Sequence, residues 1–430
     1  MNSSGKSKNQ NRTGNTSDLA LIFSVSVIAL TLIYIFIMLV TRSSNYEAYF
    51  HSDRGDTAMD FFNMLYNVHL DDPYWDYSNY PPLVFLFLQV IHHFIPFPEE
   101  GWFGGSLSLR TDSIAQICYI AVSLVCIITI SEVLKKLASG RYRDKLLFST
   151  ALILSGPMVF LYERGNVLLW ALVFSLLFYA FYDSEDVKLR YLAYVSLAIA
   201  ASIKFYPALL GLLVLKKKRY KEAIVLVILG LVFFILPFFY YDGINSFFSI
   251  VKGFSEATRV QTVNQGYGIN FCYDNLMGII GAFMGYGKVR VLLIGKVILT
   301  AVLVFGCLGT KKEWERLFAI ISLCIWIPTF SYTYVLTFLI LPIVSFFFSE
   351  DNKEVSLKNY IVTFLFVFTM IPYALPTIDS VNRLVRAEVV HYPVSWGQLI
   401  IYFCIIALDV IVVADAVCNI RKKMAERKVL

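Results

Sequence analysis

Residues 158–174, MVFLYERGNVLLWALVF, place four polar residues between two apolar runs. The interruption, Glu163-Arg164-Gly165-Asn166, is too short to form an ordinary loop. Glycine adopts a positive φ at no steric cost, so Gly165 is predicted to allow a tight reversal of the chain. Two apolar segments joined in this way are typical of a helical hairpin in a membrane, with the ionisable side chains of the turn close to the lipid.

The composition of the whole chain supports a membrane protein. Its 430 residues are 58% hydrophobic and 16% charged, and the mean hydropathy is +0.65. Soluble domains are nearer to about half apolar and about a quarter charged. A helix satisfies its own backbone hydrogen bonds and is therefore suited to lipid. We predict an all-α polytopic membrane protein.

The positions of the basic residues predict the topology. Most of the 37 Lys and Arg residues fall in clusters between apolar segments, and cytoplasmic loops collect such residues. The net charge of +6 is therefore interpreted as this bias and not as a nucleic-acid surface. With the clusters inside, both termini are cytoplasmic and about twelve segments cross the membrane. The predicted crossings are 18–41, 112–134, 146–162, 167–183, 191–203, 205–215, 222–241, 288–309, 317–329, 333–348, 359–376 and 397–419.

The predicted organisation is a single membrane domain with two outer loops. Residues 1–17 are polar and are predicted to be a disordered cytoplasmic tail. Residues 18–419 form the transmembrane domain, and residues 420–430 form a basic cytoplasmic tail. The first outer loop is predicted at 42–111, with interfacial helices, and the second at 242–287.

Two pairs of predicted crossings are too short to span a membrane. Each arm of the first pair, on either side of Lys204-Phe205-Tyr206-Pro207, would be about 20 Å of helix, against ~30 Å of hydrocarbon. The second pair, 317–329 and 333–348, also consists of two short segments joined by a turn. Broken helices persist at membrane depth only where their backbone lines protein or a wet cavity. We therefore predict a water-filled cavity that opens to the outside.

The first outer loop contains candidate acid–base residues. Its polar side chains recur at helical spacing and share one face of a short amphipathic helix. These residues are Asp56, Asp60, Asn63 and Asn67. Asp56 is placed to cap the helix, whereas Asp60 lies one turn further in, where capping does not explain it. Asp60 is therefore either a general base or part of a solvated face.

Two cations are predicted at turns beside the cavity. Arg164 and Lys204 lie near the outer side, and ionisable residues inside a membrane are functional candidates. A phosphate with a long apolar tail would suit both, because guanidinium and ammonium groups bind phosphate oxygens. The alternatives are a local pair between Arg164 and Glu163, and extension of either side chain to the interface.

Several motifs occur here in an order that resembles a known family. They are MDFF (59–62), NYPPL (79–83), ERGN (163–166) and KFYP (204–207). Together they look like the integral-membrane GT-C glycosyltransferases, and in particular resemble glycosyltransferase family 87, which includes bacterial polyprenyl-phosphate-mannose-dependent mannosyltransferases. VNQGYGIN (263–270) is similar to the second outer-loop Asn-Gln segment of that family.

One departure from the family pattern lies between residues 331 and 334. Members tend to carry an acidic residue or histidine in this turn, whereas this chain keeps only aromatic side chains, at Tyr332 and Tyr334. The identity of the sugar is therefore left open by the sequence.

The resemblance implies a fold and a set of site residues. The fold would be a GT-C-type bundle of about twelve transmembrane helices with juxtamembrane helices in the first outer loop. Asp60, or alternatively Asp56, would be the catalytic base. Arg164, Lys204 and Tyr206 would bind the donor phosphate. Further donor or acceptor contacts are expected at Tyr80, Asn166, Asn264, Gln265, Tyr332 and Tyr334.

The implied activity is transfer of one sugar, with a mannose-like hexose favoured, from a polyprenyl-phosphate donor with inversion at the anomeric carbon. The acceptor would be a lipid or a cell-envelope glycan on the outer face of the plasma membrane. Expected partners are these substrates and membrane lipids, with no nucleic acid. No cofactor or metal ligand is predicted, although Asp56 with Asp60 leaves a divalent cation open. The alternative is a transporter or flippase for a lipid-linked glycan, which gains little from a carboxylate helix above the cavity.

Overall fold

The computed structural model describes most of the chain. The described residues are 14–41, 57–70, 73–74, 78, 80–97, 102–261, 270–284, 289–329, 331–349, 356–372, 377–385 and 388–429. Three residues of the predicted site, Asp56, Asn264 and Gln265, lie outside these ranges. Within the ranges, regular structure is helical except for one β-hairpin and an isolated bridge between Asn270 and Tyr332.

The elements are numbered in chain order. The α-helices are α1 (Gly14–Val40), α2 (Met59–His69), α3 (Pro82–His92), α4 (Trp102–Leu109), α5 (Ser113–Leu137), α6 (Tyr142–Ile153), α7 (Gly156–Arg164), α8 (Leu168–Phe181), α9 (Val187–Ile203), α10 (Leu212–Lys216), α11 (Tyr220–Ile235), α12 (Ile244–Gln261), α13 (Tyr273–Met284), α14 (Val289–Gly309), α15 (Glu313–Trp326), α16 (Ile340–Phe348), α17 (Leu357–Met370) and α18 (Trp396–Val429). Segments of 3₁₀ helix lie at Tyr206–Gly211, Leu236–Tyr240 and Thr333–Leu339. The strands are β1 (Thr377–Val385) and β2 (Glu388–Ser395).

Long apolar helices identify the chain as a membrane protein. Among the described residues, 4 helical segments are long and apolar enough to cross a bilayer, and α6 with α7 adds one when counted as a bent span. The 4 segments are Asp18–Val40, Ser113–Leu137, Tyr220–Tyr240 and Trp396–Glu426. Every predicted crossing contains helix, but the remaining helices are shorter, so the count of about twelve stays a prediction.

The predicted crossing 146–162 is bent rather than straight. Helices α6 and α7 meet at 55° on either side of Leu154 and Ser155. Pro157 lies in the first turn of α7, where its missing N–H is tolerated, and it would break a continuous helix. Gly156 lets the bend approach another segment closely, because a Cβ at this position would lie 2.6 Å from the carbonyl oxygen of Ile371.

Both predicted helix breaks are confirmed. Helix α9 ends at Ile203, Lys204 is extended with φ −142° and ψ 136°, and the 3₁₀ helix begins at Tyr206. Likewise α15 ends at Trp326 and the chain resumes as 3₁₀ helix at Thr333. The depth of these breaks in the membrane stays a prediction.

The hairpin is the part of the fold that the all-α prediction did not include. Strands β1 and β2 pair antiparallel, from Thr377 opposite Ser395 to Val385 opposite Glu388, in the segment between the predicted crossings 359–376 and 397–419. Valine, isoleucine and threonine favour strands, and they are frequent in both segments.

The chain divides into two compact units. The first comprises Met1–Tyr49, Leu134–Val159 and Gly266–Leu430, and the second comprises Phe50–Val133 and Phe160–Gln265. In the first, α15 is buried on all sides from Trp314 to Trp326 and packs against α14, α16 and α18. In the second, α8, α9 and α11 pack in sequence, and α2 packs against α3 and α4.

Substitution of Gly156 tests the close approach at the bend. We expect Gly156→Ala to lower the melting temperature of the detergent-solubilised protein, because the new Cβ would overlap the backbone of Ile371 and Pro372. Overpacking of this kind costs about 1–3 kcal/mol. Gly230→Ala in α11 is the matched control, since among the described residues no atom lies within 4 Å of its added Cβ. An unchanged melting temperature for Gly156→Ala would contradict this account.

Candidate functional site

The turn at Glu163–Asn166 ends α7 in a Schellman motif. The N–H of Gly165 donates to the carbonyl oxygen of Tyr162 at 3.0 Å, and the N–H of Asn166 donates to that of Leu161 at 3.4 Å. These two hydrogen bonds satisfy carbonyl groups at the end of the helix. They require the residue just after the helix to adopt the left-handed backbone conformation. Gly165 supplies it with φ +63°, so the predicted tight reversal is confirmed.

The start of α2 lies directly on this turn. The N–H of Ala58 donates to the carbonyl oxygen of Glu163 at 2.5 Å. A Cβ at Gly165 would lie 3.0 Å from the Cα of Ala58 and 3.0 Å from the Cβ of Phe61. The absent side chain at Gly165 therefore allows the two backbones to approach, and this approach brings the first turn of α2 to the polar side chains of the reversal.

Asp60 and Arg164 form a buried ion pair. The Nη2 atom of Arg164 donates to Oδ1 of Asp60 at 2.7 Å. Only 3% of the Arg164 side chain and 13% of the Asp60 side chain are exposed. The solvated-face alternative for Asp60 is therefore wrong. Arg164 also occupies the last turn of α7, where a cation interacts favourably with the helix dipole.

Asn166 holds the second oxygen of the same carboxylate. Its Nδ2 atom donates to Oδ2 of Asp60 at 2.6 Å and to the hydroxyl of Tyr80 at 3.0 Å. Its Oδ1 atom accepts from the N–H of Leu168 at 3.0 Å, at the start of α8. This last bond fixes the orientation of the amide, because only the carbonyl oxygen accepts. The amide donors are therefore directed at Asp60 and Tyr80.

Lys204 joins the cluster through Tyr80. Its Nζ atom lies 4.0 Å from the centroid of the Tyr80 ring, within the range of a cation–π contact. The extended backbone of Lys204 at the end of α9 places its ammonium on this ring. Asp60, Tyr80, Arg164, Asn166 and Lys204 thus form one connected group inside the second unit.

Two other predicted site residues lie in the first unit. Tyr332 and Tyr334 have ring centroids 5.4 Å apart, and Tyr332 bridges to Asn270. Tyr206 lies in the second unit, two residues beyond Lys204, as the first residue of the 3₁₀ helix.

Tyr119, an aromatic residue of α5 outside the quoted motifs, supports the group. Tyr119 of α5 packs against Phe61, with ring centroids 5.2 Å apart, and its hydroxyl donates to the carbonyl oxygen of Tyr162. It therefore links the first turn of α2 to the end of α7. Tyr119 lies in a continuous apolar run, so no sequence pattern marks it.

The arrangement is suited to moving a proton at Asp60. An ionised carboxylate has about four lone-pair sites, and Arg164 and Asn166 each take one. Asp60 therefore keeps acceptor capacity while its orientation is fixed from two sides. The nearby ammonium of Lys204 is a point charge that suits an anionic group such as phosphate.

A double-mutant cycle tests the ion pair. Arg164→Met leaves the Asp60 carboxylate without its cationic partner, and removal of one member of a buried pair costs about 3–5 kcal/mol. We expect Arg164→Met and Asp60→Asn each to lower the melting temperature. The decrease for the double variant should be smaller than the sum of the two single decreases. Thermal unfolding in one detergent measures all four proteins. Additive losses would show that the two side chains are not coupled.

Comparison with known proteins shows the family of the chain. A family model described as glycosyltransferase family 87 matches residues 79–331, which include Tyr80, Arg164, Asn166 and Lys204 but not Asp60. No curated protein and no solved structure matches the chain. Asp60 is connected to the matched region by its bonds to Arg164 and Asn166. The match covers more than half of the 430 residues, and the chain belongs to glycosyltransferase family 87.

Proposed function

We propose that this glycosyltransferase moves a single sugar from a polyprenyl-phosphate donor to a hydroxyl of a lipid or glycan acceptor. The observation that carries the proposal is the carboxylate of Asp60, held by Arg164 and Asn166 with an ammonium group nearby. We further propose that the reaction takes place at the extracytoplasmic face of the plasma membrane. A mannose-like hexose is the favoured sugar.

Asp60 is the proposed general base. The acceptor oxygen attacks the anomeric carbon while its proton passes to the Asp60 carboxylate. The bond between the anomeric carbon and the phosphate oxygen breaks, and the polyprenyl phosphate leaves with the electron pair. One displacement inverts the anomeric configuration. The leaving phosphate is already anionic and needs no general acid, and a positioned base contributes about 10²–10⁴-fold.

Arg164 is proposed as a positioning residue. The sequence assigned its guanidinium to the donor phosphate, but its Nη2 atom donates to Asp60 and only 3% of the side chain is exposed. A guanidinium that is almost completely buried is better placed to orient the Asp60 carboxylate than to contact a bound substrate. Asn166 has the same role at the other oxygen and also holds Tyr80.

Lys204 is the proposed contact for the donor phosphate, with Tyr206 beside it in the chain. Its ammonium lies against an aromatic ring and, among the described residues, forms no salt bridge with a carboxylate. Lysine ammonium groups bind phosphate as point charges. Charge that accumulates on the leaving phosphate would be stabilised there, which is an electrostatic contribution of the kind that dominates many enzymes. A flippase would have no need of an oriented carboxylate next to this cation.

Asp60→Asn is expected to abolish sugar transfer. The amide cannot take the acceptor proton, so turnover should fall by about 10²–10⁴-fold while donor binding persists. Release of sugar from radiolabelled polyprenyl-phosphate donors, with membrane lipid extract as acceptor, measures the effect. Asp183→Asn is the control, because Asp183 is an exposed carboxylate that pairs with Lys217 and Arg219 away from the group.

Near-normal turnover by Asp60→Asn would refute the base assignment. The same assay on Asp56→Asn decides between the two carboxylates. Activity that is lost in Asp56→Asn and kept in Asp60→Asn would assign the base one helical turn earlier.

Lys204→Gln is expected to weaken the reaction through the donor. Loss of a charge-assisted contact to phosphate should lower kcat/KM by about 10- to 100-fold. Lys204→Arg, which keeps the charge, should recover part of this loss. Steady-state kinetics at varied donor concentration provide the measurement, and equal activity of Lys204→Gln and wild type would exclude a phosphate contact.

A further inference from the structure

The second helix break is the accessible part of an otherwise buried pair of helices. Helix α15 is buried over 314–326, and α16 is buried over 340–347. The exposed or half-buried side chains described between these two ranges are Ile327, Pro328, Thr329, Ser331, Tyr332 and Tyr334. Four of the six carry a hydroxyl group, and none is charged. Tyr332 and Tyr334, the tyrosine pair, have ring centroids 5.4 Å apart, and each combines an apolar ring with a polar tip.

An extended segment before α13, residues 270–272, holds the backbone of the break. The N–H of Phe271 donates to the carbonyl oxygen of Ser331 at 2.7 Å. Asn270 forms the isolated β-bridge with Tyr332. Where a helix ends, backbone groups lose their intrahelical partners, and this segment supplies replacements. The position of the tyrosine pair therefore depends on residues 270–272.

Helix α18 anchors the same segment from within the first unit. The hydroxyl of Tyr402 donates to the carbonyl oxygen of Asn270 at 3.0 Å and accepts from the N–H of Cys272 at 3.2 Å. It also accepts from Nδ2 of Asn275 at 3.0 Å. A phenolic hydroxyl can both donate and accept, and here it does both. Gln398 of α18 adds a bond from Nε2 to the carbonyl oxygen of Asn270 at 2.8 Å.

The ring of Tyr402 is fixed as firmly as its hydroxyl. Trp326, the last residue of α15, stacks on it with centroids 5.7 Å apart and planes inclined by 19°. Nε1 of Trp326 donates to Oδ2 of Asp409 at 2.9 Å, and the hydroxyl of Ser322 donates to Oδ1 at 2.6 Å. Asp409 is a buried residue of α18, so these bonds join α15 to α18. Tyr402 thus connects a rigid helix contact to the accessible break.

We infer that Tyr402 is a positioning residue for a neutral sugar ring that binds at the tyrosine pair. Only 2% of Tyr402 is exposed, so it acts through residues 270–272 and not by contact with the sugar. It lies outside residues 79–331, which match the family. The accessible side chains of the break offer a sugar carboxylate no cation among the described residues, so a hexose fits better than a uronic acid.

The inference rests on the proposed function only for the reaction that uses the sugar. The ring belongs either to the donor or to the acceptor, and both present the same chemistry to an aromatic pair with hydroxyl groups. Kinetics in which each substrate is varied in turn distinguish the two, because only the substrate that contacts the pair should change its KM.

Tyr402→Phe tests the positioning role. The ring that stacks on Trp326 stays, whereas the bonds to Asn270, Cys272 and Asn275 are lost. We expect KM for one substrate to rise about tenfold with kcat and the other KM nearly unchanged, since uniform binding is lost. Tyr360→Phe is the matched control, because Tyr360 is an exposed tyrosine of α17. Unchanged KM values for both substrates, or a fall in kcat alone, would overturn the inference.

A double-mutant cycle separates positioning from general stability. If Tyr402 acts through the tyrosine pair, Tyr402→Phe should raise KM no further in a protein that already carries Tyr332→Ala and Tyr334→Ala. A role confined to folding would instead lower the melting temperature equally in both backgrounds and leave KM unchanged. Additive effects on KM would also contradict the inference.

Saturation-transfer NMR on the detergent-solubilised intact chain tests sugar binding without turnover. The probes are methyl α-mannoside, methyl α-glucoside and glucuronic acid. We expect signals from a neutral glycoside that weaken in Tyr402→Phe, disappear in the Tyr332→Ala/Tyr334→Ala protein, and exceed those from glucuronic acid. Absence of signal from every neutral probe, or signals that are equal in Tyr402→Phe and wild type, would overturn the inference.

The outcomes distinguish this inference from the proposed function. Sugar signals that depend on Tyr402, without transfer from any polyprenyl-phosphate donor, would support the positioning role and refute the function. Transfer from such a donor with unaltered KM values and unaltered signals in Tyr402→Phe would support the function and refute the positioning role.

Discussion

The buried ion pair between Asp60 and Arg164 is the interaction on which the candidate site depends. Burial of a carboxylate and a guanidinium costs roughly several kcal/mol of hydration free energy for each group. This cost is offset only when the two charges are in close contact and form further hydrogen bonds. The surrounding fold meets both conditions. Gly165 lets α2 approach the end of α7, and Asn166 supplies the additional donor to Asp60. A one-residue shift of the turn would separate these groups.

The second unit arranges this site from helix ends. Arg164 ends α7, Asn166 bonds the start of α8, Lys204 follows the end of α9, and Asp60 lies in the first turn of α2. Helix ends place side chains accurately because the helices are fixed by packing, while the residues between them are not committed to backbone hydrogen bonds.

The sequence was sufficient for the components of the site and insufficient for their pairing. Arg164 and Lys204 could be predicted as site residues because a cation is rare inside an apolar run. The chain reversal could be predicted because Gly165 can adopt a positive φ at no steric cost. That Arg164 would pair with Asp60 depends on a contact across 104 positions, which no local pattern encodes. Gly156 and Pro157 are residues that favour a bend, but they lie inside an apolar run that was interpreted as one straight crossing. The β-hairpin was missed because its strands are short and mix polar with apolar residues.

The most direct test of Asp60 as the base is an experimental structure with an unreactive phosphonate analogue of the donor and an acceptor bound together. This account predicts the attacking hydroxyl at about 2.6–3.2 Å from a carboxylate oxygen of Asp60, with the bonds from Arg164 and Asn166 intact. A hydroxyl that instead contacts Asp56, or an Asp60 that stays enclosed by Arg164 and Asn166 without contact to the acceptor, would contradict it.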